Sequence, residues 1–135
     1  MKIKFSKIIW LFVLVVLLHF LAIKFSVYER QMQAGFVWFD NILHFFSGIT
    51  FAFLWLWIVE HKKIPRRIID IMIFVLVTAI LWELFEFGFL KAFSSQALEY
   101  KIYSPTLWEA TEDIISNLFG GLILVYGVLN LPKNK

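Results

Sequence analysis

The chain has 135 residues, 61% of them hydrophobic, with 16 Phe, 6 Trp and a mean hydropathy of +0.79. A water-soluble domain of this size could not cover so much apolar surface, which places the chain in the membrane class. The net charge of +3 comes from 13 basic and 10 acidic residues clustered between apolar runs, which excludes a nucleic-acid surface, and the lack of cysteine excludes disulfides and thiolate metal sites.

In chain order, Lys2, Lys4 and Lys7 precede an apolar run from 8 to 23 that contains His19. The run is long, and Leu21-Ala22-Ile23-Lys24 has no small-x-small cleavage site, so a retained transmembrane helix over about 8–27 is expected rather than a signal peptide. Residues 28–35 read as a short polar connection. A second span, about 37–59, is entered through Asp40, Asn41 and His44. Residues 60–67 form a tight basic loop in which Pro65 stops any helix before it. The third span, about 68–90, carries Glu83 and Glu86 near its far end, and 91–103 is the longest polar segment. Ser104-Pro105-Thr106 restarts a helix, with proline tolerated in its first turn. The fourth span, about 107–130, contains Glu109, Asp113 and Asn117 at four-residue spacing, one helical face.

Each segment approaches the roughly 20 residues that cross about 30 Å of hydrocarbon. The expected fold is therefore all-α, an integral membrane bundle of four transmembrane helices forming one domain over 1–135. Lys2, Lys4, Lys7, Lys62, Lys63, Arg66, Arg67, Lys133 and Lys135 lie on one side of such a bundle, and Lys24, Arg30, Lys91 and Lys101 on the other. The positive-inside rule makes the richer side cytoplasmic, with both termini there and the chain in the plasma (inner) membrane.

This topology gives depth. His19, His44, Glu83 and Asp113 all fall within roughly 9–12 Å of the outer boundary, counting 1.5 Å per helical residue. Asp40 and His44 share a face, as do Asn41 and His44, and Glu83 and Glu86. Ionisable groups within a span are costly unless they face a cavity or one another, so the expectation is a polar cup in the outer leaflet. Gly48, Gly120 and Gly121 would let backbones approach closely beneath it. Plainer readings exist for single residues. Asp40 would cap a helix, Glu109 would join Thr106 in a capping box, and Glu86 would be solvated among headgroups. His19 would be a packed core residue, and Asn117 an interhelical hydrogen bond. Trp10, Trp38, Trp57 and Trp108 read as interfacial anchors.

The order Asp-Asn-x-x-His-x-x-x-Gly at 40–48, Trp-Glu-x-x-Glu at 82–86 and Asp-x-x-x-Asn-x-x-Gly at 113–120 resembles the VanZ-like group of small membrane proteins and the related uncharacterised inner-membrane proteins. Asp40, His44, Glu83, Asp113, Asn117 and Gly120 match that pattern over roughly residues 37–125, and Glu109 stands where the pattern has its first Asp. The resemblance implies a cell-envelope role, since one member is associated with glycopeptide (teicoplanin) resistance, but it supplies no reaction.

His44, Glu83 and Asp113 are the candidate catalytic residues and candidate metal ligands, with Asp40, Asn41, Glu86, Glu109 and Asn117 as candidate ligand-binding residues. An imidazole with carboxylates suits Zn, Mn or Mg, so the candidate cofactor is a divalent metal. A metal-bound water with a carboxylate base would hydrolyse a phospho- or acyl-lipid, and without metal the crowded acids would pair a general acid with a base. Against catalysis, there is no HExxH, no Gly-x-Ser-x-Gly and no arginine cluster. The alternative is non-enzymatic, a structural interhelical network or a site for an envelope lipid, a peptide or a partner. Membrane lipids are the expected surroundings and a homo-oligomer an open possibility. Proton transfer is a weaker reading, because the inner halves of the spans lack acidic groups.

Overall fold

A computed structural model describes residues 3–33, 38–63, 67–102 and 106–129. The sequence-derived fold class holds: the described residues are helical with no strand, and four helices are long and apolar enough to cross a membrane. These are α1 (Phe5–Lys24), α3 (Phe39–Lys62), α4 (Ile68–Ala92) and α6 (Leu107–Leu129). Two short helices, α2 (Val27–Gln33) and α5 (Ser94–Tyr100), lie in stretches expected to be polar connections.

The helix α1 ends at Lys24, earlier than expected, because the chain turns at Phe25–Ser26, where Ser26 adopts φ 52°. The helix α2 forms because Tyr28 and Gln31, three residues apart, both turn inward and are buried. Tyr28 packs with Ala22 and Leu43, and the Gln31 side-chain oxygen accepts from the backbone N–H groups of Trp38 and Phe39 at 3.2 and 3.1 Å. A residue of α2 thereby satisfies the first donors of α3, the role of an N-cap. Asp40 is therefore not the cap.

The central helix is α3. It packs most extensively on α6 and also against α1 and α4, while α4 packs on α6 and α5. Contacts at matching heights show that α3 and α6 run parallel. Asn41 meets Ser116, Gly48 meets Asn117, and Ala52 and Leu56 share a core with Val125. A methyl group built on Gly48 would collide with the Asn117 backbone, and one on Gly120 with the Phe45 backbone. The two helices thus touch backbone to backbone, as small residues permit in membranes. Below this crossing Ala52, Leu56, Ile71, Val75 and Val125 fill an apolar floor.

Outward, the bundle presents apolar side chains such as Phe12, Leu17, Ile73, Val77, Leu84 and Ile123, all exposed. In water such a surface would be unstable, and against lipid tails it is the expected exterior. Thr50, Thr78 and Thr111 donate their hydroxyls to carbonyls three or four residues back, which satisfies them within the helix. Trp10 and Trp108 are exposed, consistent with anchoring, whereas Trp57 stacks on His61.

Candidate functional site

The ends of α1 and α4 and the starts of α3 and α6 meet at one end of the bundle, and the polar residues gather there. His44 and Asp113, both buried, face each other across the α3–α6 seam with Nε2 and Oδ1 3.8 Å apart. That is too long for a hydrogen bond. Asp40, one turn before His44, completes a group in which one ligand atom from each of Asp40, His44 and Asp113 lies within 4.8 Å of the others. Two ligands that share an ion at about 2.0–2.2 Å each, at a tetrahedral angle, lie about 3.3–3.6 Å apart. The His44–Asp113 distance is close to that spacing, and the widest separation in the group needs a closure of roughly 1.2–1.5 Å.

Asn117 sets the imidazole. It is only 2% exposed, and its Nδ2 lies 2.9 Å from His44 Nδ1 and 3.0 Å from the Asp113 carbonyl. An amide nitrogen only donates, so His44 Nδ1 accepts and the ring proton sits on Nε2, toward Asp113. The Asn117 Oδ1, buried, has no partner among the described residues.

The surrounding acids separate into different roles. Glu86 is buried, 5% exposed, and accepts from the Trp82 indole N–H at 2.6 Å, so it is not solvated among headgroups. Glu83 is half-buried, and the charges of Glu83 and Glu109 reach Asp40, while those of Asp40, Glu83, Glu86 and Glu109 reach Asp113. Glu109 makes the threonine half of the capping box: its N–H donates to the Thr106 hydroxyl at 3.2 Å, and that hydroxyl donates to its carboxylate at 3.0 Å. Asn41 accepts from the Ser116 hydroxyl at 3.3 Å and ties α3 to α6 beside the cluster. Among the described residues no lysine or arginine pairs with Asp40 or Asp113. Carboxylates so placed are neutralised by a proton or by a compensating cation.

His19 stands apart from the metal-ligand group. Its Nε2–H donates to the Tyr100 carbonyl at 2.9 Å, so its Nδ1 accepts from the Tyr28 hydroxyl at 2.8 Å. Burial first, then the charges of Asp40, Glu86 and Asp113, hold the Tyr28 phenol above its usual range, which keeps that proton available. His19 thus ties α1 to α2 and α5 at the polar end. There Lys101 Nζ lies 3.2 Å from Glu29, whose own backbone N–H and then Lys101 hold its carboxyl below the usual range.

Beside the cluster lies a cavity of about 200 Å³, lined at its polar end by Asp40, His44, Glu86, Asn117 and Lys101. Sequence reasoning missed Tyr28, Gln31 and Tyr100, which act through long-range contacts. The Trp82–Glu86 bond was readable from its i,i+4 spacing.

No curated protein and no solved structure matches the chain significantly. Residues 1–133 match a protein family described as "Predicted membrane protein (DUF2238)", and the chain belongs to that family of membrane proteins.

Proposed function

We propose that the protein binds a divalent metal ion between Asp40, His44 and Asp113. The approach of their ligand atoms to within 4.8 Å of one another carries this reading. One imidazole and two carboxylates suit Zn²⁺ or Mn²⁺ and leave coordination positions open for water or a ligand. The meeting of Asp40, His44 and Asp113, with Asn117 bonded to His44, also supports the VanZ-like resemblance and the envelope role that goes with it. The lysine and arginine distribution supports the plasma membrane as its location, with cytoplasmic termini and the metal site in the outer half of the bilayer.

An ion on His44 Nε2 requires the ring proton on Nδ1, where it needs an acceptor. A half-turn of the Asn117 amide supplies Oδ1, which has no partner among the described residues, in exchange for the Nδ2 bond to the Asp113 carbonyl. Asn117→Asp, which offers an acceptor in either orientation, should keep the ion. Asn117→Leu should bind it about 10- to 100-fold more weakly, the usual cost of losing an outer-shell partner. Metal titration of the two variants in detergent checks this.

The direct test loads purified protein with Zn²⁺ or Mn²⁺, desalts it without chelator and measures metal per chain beside His44→Ala. Near-stoichiometric metal in the wild type and its loss in the variant is the expected result. Equal metal content in the two proteins would overturn the reading.

A further inference from the structure

The cavity continues well beyond the polar cluster. Its lining runs along α1 from Phe12 to Phe20 and along α3 from Asp40 to Phe51, which is roughly 12–16 Å at 1.5 Å per residue. That length is about one leaflet of a bilayer whose hydrocarbon core is about 30 Å thick. The polar groups sit at one end, and the rest of the wall is apolar, with Val16 on α1, Leu43 on α3 and Ala79 on α4. A volume of about 200 Å³ is room for roughly seven groups of a water molecule's share of liquid volume, enough for part of one chain and not for two.

The slot is open sideways. Both α1 and α4 pack on α3, yet no extensive seam joins them to each other among the described residues. Phe12, Val16 and Phe20 on one rim and Trp82 on the other line the cavity while remaining exposed on the lipid-facing surface. At the polar end, Asn117 Oδ1 is buried without a partner among the described residues, and Lys101 stands at the edge of the same cavity.

We infer that the slot binds a membrane amphiphile with a phosphate head, taking one hydrocarbon chain between α1 and α4 and the head at the Asp40–His44 end. The apolar wall accounts for the chain, and the lateral gap accounts for entry from the bilayer. The open coordination positions of the ion account for the phosphate, and Lys101 at the cavity's edge would exchange its Glu29 partner for it, so the head-group half of the inference rests on the metal site proposed above. The chain half does not.

The test uses dodecyl phosphate carrying a diazirine at the end of its chain, photolysed with the Zn²⁺-loaded full chain in phosphatidylcholine vesicles. Metal content is measured on the same sample, and the label is mapped by peptide sequencing. Labelling should concentrate severalfold on 12–20, Phe51 and Ala79 over the outward positions Ile73, Val77 and Leu84. It should be competed by dodecyl phosphate but not by dodecyltrimethylammonium, and should fall on chelation. Ala79→Leu, which fills the slot, and Val16→Trp, which narrows it from the exposed rim without entering the core, should each abolish the preference. Diffuse labelling of a protein that carries its ion would overturn the amphiphile site and leave the metal site standing. Slot labelling that ignores chelator, in a protein that carries no ion, would overturn the phosphate head together with the metal reading.

Discussion

Asp113→Asn should yield a protein that accumulates and unfolds like the wild type but carries no ion. The substitution keeps the size and shape of a side chain that is only 4% exposed, so it opens no cavity. It places a neutral amide where the charges of Asp40, Glu83, Glu86 and Glu109 all reach, so it adds no repulsion to the metal-free protein. It also removes an anionic ligand from a set of three. The loss of metal affinity should therefore exceed the roughly 10- to 100-fold that follows from disturbing an outer-shell partner. A purely structural network predicts the opposite pattern. If the His44–Asp113 contact served stability alone, breaking a buried pair would cost about 3–5 kcal/mol and show as lost abundance or a lower Tm. Metal content and thermal unfolding of the chelator-stripped proteins separate the two. A destabilised Asp113→Asn whose ion content matches the wild type would remove the metal site from the account.

What the sequence made legible was composition and height. Apolar runs of about 20 residues announced four spans, and alternating topology placed His19, His44, Glu83 and Asp113 at one level of the bundle. Height alone does not say which groups touch, because that depends on how each helix is rotated about its axis. Here rotation follows from contacts between distant segments. Gly48 against Asn117 and Gly120 against Phe45 turn His44 toward Asp113, while the bond from Trp82 draws Glu86 out of solvent. Glu109 lies on the same face as Asp113 in a helical projection, yet its carboxylate is engaged by Thr106, a local competitor that the Thr-x-x-Glu spacing had announced. The helices α2 and α5 escaped notice because seven residues give little periodic signal. They are held by tertiary contacts, namely Tyr28 with Leu43, Gln31 with the start of α3, and Tyr100 with His19.

The dependence of the site on that crossing can be measured one glycine at a time. Four glycines in α3, α4 and α6 make a graded comparison, because an added methyl group meets a different obstacle at each. At Gly48 it meets the backbone of Asn117 and at Gly120 that of Phe45, neither of which can rotate away, while at Gly121 it lies 3.1 Å from a Val75 methyl group. At Gly88 it meets nothing within 4 Å. Alanine is favoured over glycine in a helix by up to about 1 kcal/mol, so Gly88→Ala should be neutral or slightly stabilising. Gly48→Ala should lower stability by at least the roughly 1–3 kcal/mol typical of overpacking, because α3 and α6 must separate. Gly121→Ala should fall between them. Gly48 lies one turn beyond His44, and Asn117 one turn beyond Asp113, so separation at the crossing widens the 3.8 Å between imidazole and carboxylate. Gly48→Ala should therefore lose ion binding as well as thermal stability, while Gly88→Ala keeps both. If Gly48→Ala unfolds at the same temperature as the wild type and holds the same metal, the close approach of α3 and α6 is not what positions the ligands.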